Sequence, residues 1–217
     1  MSDLPVDRTE ASTAFPNVGV DVFGPWQVVS RKTRTSQATS KRWAVLFTCL
    51  SIRAVHIEVV DEMSSSAFIN ALRRFIAIRG KVKIFRSDRG SNFVGATDHI
   101  GVHTINVENG QVKDFLCKSG SIWVFNAPYS SHMGGVWERM IGVSRRILKS
   151  MLTITHNLTH DVLVTLMAEA GAIVNARPIV PVSSDPDCPQ ILSPAALLTL
   201  KLDSDQQPVD DLNLKDL

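Results

Sequence analysis

Val18-Gly19-Val20-Asp21-Val22-Phe23 is a strand-length apolar run with a carboxylate set into its middle. Alternating valines mark extended backbone with a buried face. A charge inside such a run is costly unless it is paired or bound to a cation. Gly24-Pro25 interrupts the pattern and Val28-Val29 resumes it. Beyond, Arg31 to Arg42 is polar and turn-like, Trp43 to Leu50 is a dense apolar run, and Ala54 to Val60 alternates as a third strand. Three strands joined by short links predict an antiparallel meander.

Helical periodicity follows. Ser64 is placed to cap a helix whose apolar face is Phe68, Leu72, Phe75 and Ile76, and Gly80 stops it. Val82 to Phe85 reads as a short buried strand running into Arg86-Ser87-Asp88. Ser91 to Cys117 is expected to be helical in two pieces, and Ser121 to Asn126 to be a strand closed by Pro128. Two long helices are predicted near Gly135–Thr153 and His160–Ala176, the second stopped by Pro178. The order is a mixed α/β domain: a three-strand meander, then parallel strands, flanked by helices.

The 217 residues are enough for one sizeable domain, and 44% hydrophobic with 20% charged residues is a globular balance. No apolar run reaches the length of a membrane span, and the polar, acidic Met1–Glu10 is not expected to be a signal peptide. Cys49, Cys117 and Cys188 are too few and scattered for a disulfide framework, which predicts a reducing, intracellular setting. The net charge of +2 hides an asymmetry. Residues 21–160 hold 19 Lys and Arg against 9 Asp and Glu, a net of +10, whereas residues 161–217 hold 3 against 9, a net of −6. A basic body fits a polyanionic partner as well as it fits an ordinary solvated surface. Residues 1–16 read as an extended leader, 17–200 as the domain, and 201–217, with five aspartates, as an acidic solvated tail.

Three acids are out of place. Asp21 lies inside a strand, Asp88 stands at the C-terminal end of a buried strand, and Glu138 falls in the first turn of the helix expected to open at Gly134-Gly135. Strand ends are where α/β sheets place functional groups. Each acid alone has a plain structural explanation: a bulge, a turn, or a favourable helix dipole. Together they fit a site for hard cations such as magnesium, which take oxygen ligands. Paired cations activate an attacking oxygen and stabilise a leaving one. On a basic domain that chemistry is phosphoryl transfer on nucleic acid.

Ser87-Asp88-Arg89-Gly90-Ser91-Asn92-Phe93 resembles the second catalytic segment of retroviral and retrotransposon integrases, and Pro128-Tyr129 with Gly135 and Glu138 resembles the third. Further segments are similar, more narrowly, to the integrase core of BEL/Pao-type LTR retrotransposons. They are Val18-Gly19-Val20-Asp21, Phe23-Gly24-Pro25, Lys41-Arg42-Trp43, Arg53-Ala54-Val55-His56, Gly134-Gly135-Val136-Trp137-Glu138-Arg139 and Asn175-Ala176-Arg177-Pro178. The likeness runs from about Leu4 to Leu198. It implies an RNase H-like fold with a mixed five-stranded sheet. It also implies an Asp21, Asp88, Glu138 triad binding two Mg²⁺ or Mn²⁺ ions, with Asp21 bridging both. The implied reaction is 3′-end processing of retroelement DNA followed by strand transfer into target DNA, in the nucleus, by a homo-oligomer.

The chain departs from that pattern where Arg89 replaces the usual Asn, in the 50-residue interval from Asp88 to Glu138, and in lacking a His-His-Cys-Cys module ahead of the core and a basic module after it. It therefore resembles a core excised from a longer polyprotein. His99 and His103 have no Cys-x-x-Cys after them and are read as non-ligands.

On the helix carrying Glu138, Val136, Met140, Val143, Ile147 and Met151 are expected to face the core, while Glu138, Gly142, Arg145 and Lys149 share another stripe. That stripe aligns a carboxylate with two cations, so a DNA strand laid along it has its phosphates neutralised. Arg89, Asn92, Tyr129, His132, Arg139 and Arg146 complete the candidate DNA contacts, with Tyr129 able to stack on an unpaired base. Surface solubilisation is the competing role for the cations, more so for Arg73, Arg74 and Arg79. A true RNase H needs a carboxylate on the first long helix, which Ser64 to Arg79 lacks, and a proofreading exonuclease needs Asp-x-Glu where this chain has Asp21-Val22-Phe23. A cut-and-paste transposase shares the chemistry and is set aside only on the narrow motifs. The alternative from another class is a catalytically silent, integrase-derived DNA- or protein-binding module.

Overall fold

In the computed structural model, residues 13–32, 37–89, 105–108, 110–126, 131–153, 158–181 and 191–199 are described. Five strands form one sheet: β1 (Asn17–Lys32), β2 (Gln37–Cys49), β3 (Val55–Val60), β4 (Ile84–Ser87) and β5 (Ile122–Phe125). Their order is β3-β2-β1-β4-β5. The first three pair antiparallel, and β1–β4 and β4–β5 pair parallel. The meander and the switch to parallel pairing both follow the sequence expectation. Helices α1 (Ser65–Arg79), α2 (Gln111–Ser119), α3 (Ser131–Leu152), α4 (His160–Ala176) and α5 (Pro194–Thr199) flank the sheet, and a two-residue pair, β6 (Val180–Pro181) with β7 (Ile191–Leu192), follows α4.

Strand alternation sorts the core into two layers. Val18, Val20 and Val22 of β1, with Val45 and Phe47 of β2, pack on one side with Phe68, Leu72 and Phe75 of α1. Phe23 of β1 and Ala44 and Leu46 of β2 pack on the other, with Met140, Ile141 and Leu148 of α3 and Leu163, Leu166 and Met167 of α4. Each such large side chain taken from water contributes roughly 1.5–3 kcal/mol, so both layers are strongly held. Asp21 belongs by alternation to the second side, the one α3 covers. Phe15, at the end of the stretch read as a leader, is buried in the first layer edge-on to Phe75.

Local signals set the ends of α1 and α4. The Ser64 hydroxyl accepts from the Ala67 N–H, and Gly80 ends α1 at φ +90°, a conformation that favours glycine. Thr159 caps α4 through the Val162 N–H, and Pro178 lies just beyond its end. Asn175 of α4 clamps β3: its side chain accepts from Val55 N–H at 2.8 Å and donates to Val55 C=O at 2.9 Å.

Two expectations for α3 are corrected. The helix starts at Ser131, not Gly135, so Glu138 sits in its second turn and gains little from the helix dipole. Glycine costs about 1 kcal/mol in a helix, and burial of Val136 and Trp137 outweighs that. The core-facing stripe is also wider than the one expected. Val136 and Met140 are buried and Val143, Ile147 and Met151 partly so, but Trp137, Ile141, Ser144 and Leu148 are buried as well. The reason is that α3 packs at once on β1, β2 and α4. Of the expected helical pair between Ser91 and Cys117, the second piece is α2, and the first, with His99 and His103, lies outside the described residues.

Candidate active site

Asp21 and Asp88 reach one place because β1 and β4 run parallel. Gly19 pairs with Arg86, which sets Asp88 level with Asp21 two residues further along both chains. Asp88 leaves the sheet at the end of β4, as Asn126 does at the end of the parallel neighbour β5. Asn126 Nδ2 accordingly donates to Asp88 Oδ1 at 2.8 Å. The other carboxylate oxygen, Oδ2, accepts from Trp137 Nε1 at 3.2 Å. Two fixed donors therefore orient the Asp88 carboxylate, and Trp137 brings the next residue, Glu138, to the same end of the sheet. Glu138 is exposed, whereas Trp137 is wholly buried.

The close approach of α3 is allowed by Gly19. A β-carbon there would lie 2.3 Å from Trp137 Cε3, inside any real contact distance. The glycine in Val18-Gly19-Val20-Asp21 is thus a seat for the indole.

Asp21 is half-buried, and its Oδ1 accepts from the Val22 N–H at 2.7 Å. Burial, above all, pushes its carboxyl up to about 6, with the negative charges of Asp88 and Glu138 adding to the rise. The Val22 N–H and the Arg145 guanidinium oppose it. The three acids therefore form one electrostatic cluster, in which ionised Asp21 is short of positive charge. Oxygen is the only donor type in it, as a hard divalent cation requires. Asn126 Oδ1, buried beside Asp88, has no hydrogen-bond partner among the described residues and adds a further oxygen. Among those residues no three His, Cys, Asp or Glu side chains stand close enough to form a ready-made metal cage. The residues fit the cation by donor type and charge; the coordination sphere itself is not formed.

The candidate DNA contacts divide. Arg145, Arg146 and Lys149 are exposed along α3, and Arg145 and Lys149 line an open groove of about 530 Å³ with Gly24, Pro25, Trp26 and Leu152. The Arg145 guanidinium also lies over the Phe23 ring, 5.9 Å from its centroid. Arg139 is exposed, next to Glu138 but off the groove. Arg89 turns aside: it donates to Glu108 at 3.3 Å and lies 5.8 Å from the Phe125 ring centroid. His132 falls in the first turn of α3, and Asn92 and Tyr129 lie outside the described residues. Arg74 pairs with Glu58, and Arg79 sits between His56 and Phe15, so both serve the α1–β3 packing.

Sequence reasoning missed Asn126 as a site residue, although its place at the end of a strand parallel to the one before Asp88 signals it. Trp137 stood in a quoted motif without a role, and Glu108 carried no signal.

No protein-family model matches the chain, and no curated protein does. Among solved structures, the chain is similar to a chain of the simian T-cell lymphotropic virus intasome in complex with the PP2A regulatory subunit B56 gamma. The TM-score is 0.61 at 13% identity over 96% of this chain, which spans 62% of that one. It is also similar to the HTLV-2 integrase catalytic core domain in complex with magnesium, in trimeric form, with a TM-score of 0.54 at 16% identity over 79% of this chain and 93% of that one. At such identities the likeness is one of fold: a mixed five-stranded sheet flanked by helices, RNase H-like, as in retroviral integrase catalytic cores.

Proposed function

We propose that this chain is a DDE-type polynucleotidyl transferase core that joins retroelement DNA ends to target DNA, and that it comes from a BEL/Pao-like LTR retrotransposon polyprotein. The observation that carries this is the cluster itself. Asp88 is oriented by Asn126 and Trp137 beside a half-buried Asp21 whose ionised form lacks positive charge. The narrow sequence motifs run through the same residues, Gly19, Asp21, Trp137 and Glu138.

In this reading Asp21, Asp88 and Glu138 hold Mg²⁺ or Mn²⁺, two ions per site. Divalent cations supply activation of the attacking oxygen and neutralisation of charge on the leaving one. Trp137 and Asn126 fix the Asp88 oxygens. Arg145 and Lys149 draw the DNA backbone along α3 toward the carboxylates. The partners are DNA and further copies of the chain, and the place of action is the nucleus.

The test is disintegration: the purified chain is incubated with Mn²⁺ and a branched integration-product DNA beside Asp88→Asn and Glu138→Gln. Metal-dependent rejoining that disappears in both variants supports the reading. One rival is a silent DNA- or protein-binding module, and Arg89 in place of the usual Asn is the residue that speaks for it. Absence of rejoining together with no Mn²⁺ binding would overturn the transferase reading in favour of that rival.

A further inference from the structure

Two motifs with no part in the carboxylate cluster, Arg53-Ala54-Val55-His56 and Asn175-Ala176-Arg177-Pro178, come together in the fold. The Asn175 clamp on Val55 joins them, and Arg177 adds to it. Its Nη2 donates to Arg53 C=O and its Nη1 to Val174 C=O, both at 2.6 Å. Arg53 itself stands in the turn between β2 and β3 at φ +60°, a left-handed conformation a long side chain seldom takes. Leu50, three residues earlier, packs with Val136 and Trp137, so this turn lies against α3 where Arg139 emerges. Arg53, Arg139 and Arg177 are thus gathered together.

Among the described residues no carboxylate forms an ion pair with any of the three. Burial first, and then the neighbouring guanidiniums, push the ordinary proton affinities of Arg53 and Arg177 down. Half-buried like charges repel, and holding one on a strained backbone costs more. A guanidinium fork matches a phosphate group in shape and charge, and such an anion would remove the repulsion.

The cluster also has a definite position. The Leu50 N–H donates to Asn17 C=O, which places this turn beside the start of β1. The groove of Arg145 and Lys149 lies at Gly24–Trp26, further along the same strand. Asp21 is between them. We propose that Arg53, Arg139 and Arg177 form a second phosphate-binding site, which takes a backbone phosphodiester of the DNA on the side of the carboxylates opposite the groove. This rests on the polynucleotide reading given above.

The test uses the full chain and a fluorescent mixed-sequence branched DNA, with affinity measured from 50 to 200 mM NaCl without divalent metal. Arg53→Asn suits the left-handed backbone and Arg139→Gln is on the surface, so both should melt no lower than the unsubstituted chain. Each is expected to weaken binding about 5- to 10-fold at low salt and to flatten the salt slope by about 1. Arg139→Lys is expected to retain the slope. Unchanged affinity and slope, in variants that still bind DNA, would overturn the proposal and leave the transferase reading standing on its rejoining assay. Variants that weaken binding of an aspartate-rich peptide but not of DNA would assign the cluster to an acidic protein partner and overturn it too. Failure of the unsubstituted chain to bind DNA would sink both readings.

Discussion

Trp137 lies directly against the backbone of Gly19, with no room for a single methyl group between them. The indole then reaches from this seat to Asp88 through its N–H. A packing contact in β1 and the orientation of a carboxylate after β4 are therefore one mechanical unit. Gly19→Ala is expected to force Trp137 away, at roughly 1–3 kcal/mol of stability for an overpacked core. Rejoining activity should fall at least tenfold with it. Denaturant unfolding beside the disintegration assay checks both, and an alanine variant as stable as the parent would sink the seat argument.

The raised Asp21 carboxyl makes stability depend on pH in a definite direction. The unfolded chain releases this proton near 3.8, and the folded chain holds it to about 6. Between those values the unfolded state binds fewer protons, so stability falls as pH rises through the window and levels off above it. The shift corresponds to a loss on the order of 3 kcal/mol. Asp21→Asn keeps an oxygen for the Val22 N–H but cannot ionise. It should match the parent below about pH 4 and melt higher above pH 7. Parallel melting curves from pH 4 to 8 decide this, and a constant difference would refute it.

A bound divalent cation is expected to reverse that penalty. A cation held by ionised Asp21 competes with the proton, so Mn²⁺ should stabilise the chain little at pH 5 and clearly at pH 7.5. At ten times its dissociation constant it adds about 1.4 kcal/mol. Asp21→Asn and Asp88→Asn should lose most of the gain. An equal gain in the variants would place Mn²⁺ elsewhere.

How far these features were readable from sequence differs from residue to residue. Strand alternation around Asp21 and the apolar period of α1 determine which face meets which layer, and both are local signals. The start of α3 was not local. Gly134-Gly135 looks like a helix opening, and only the tertiary burial of Val136 and Trp137 explains why the helix runs through it. The pairing of Arg89 with Glu108 depends on a loop return that no periodicity encodes. The Asn126–Asp88 bond, across 38 residues, took the β4–β5 register to fix, although a polar residue closing a strand parallel to β4 was a signal. The acids were legible because each is anomalous in its local sequence, Asp21 inside an apolar strand, Asp88 at the end of a buried strand and Glu138 just after a Gly-Gly helix opening; the groups that aim them were not, because Trp and Asn are ordinary in a core and at a strand end.

Trp137→Phe isolates the indole N–H from the packing. The phenyl ring keeps most of the apolar contact over Gly19, and Asp88 loses one of its two donors. A hydrogen bond to a charged group contributes about 1.5–3 kcal/mol, most of it here to the orientation of the carboxylate. Partners of this kind typically change metal affinity 10- to 100-fold. The expected result is a weaker Mn²⁺ requirement curve, shifted to higher concentration, with rejoining restored at saturating metal. A drop in activity that no metal concentration rescues would mean that Trp137 acts through the fold alone.

Arg145 and Lys149 carry the groove, and both are exposed, although Arg145 also covers the buried Phe23 ring. Arg145 also acts on the carboxylates, since its charge lowers the Asp21 proton affinity against burial. The two cations should therefore separate in one experiment. Lys149→Gln is expected to weaken DNA binding and flatten its salt slope by about 1, as loss of one phosphate contact does, with the pH profile of stability unmoved. Arg145→Gln should do the same to binding and also move the fall in stability with pH toward higher pH, since the Asp21 carboxyl is then held protonated further up. Salt titrations of DNA binding and melting curves from pH 4 to 8 read the two effects independently. Identical pH profiles for both variants would show that Arg145 does not act on the Asp21 carboxyl.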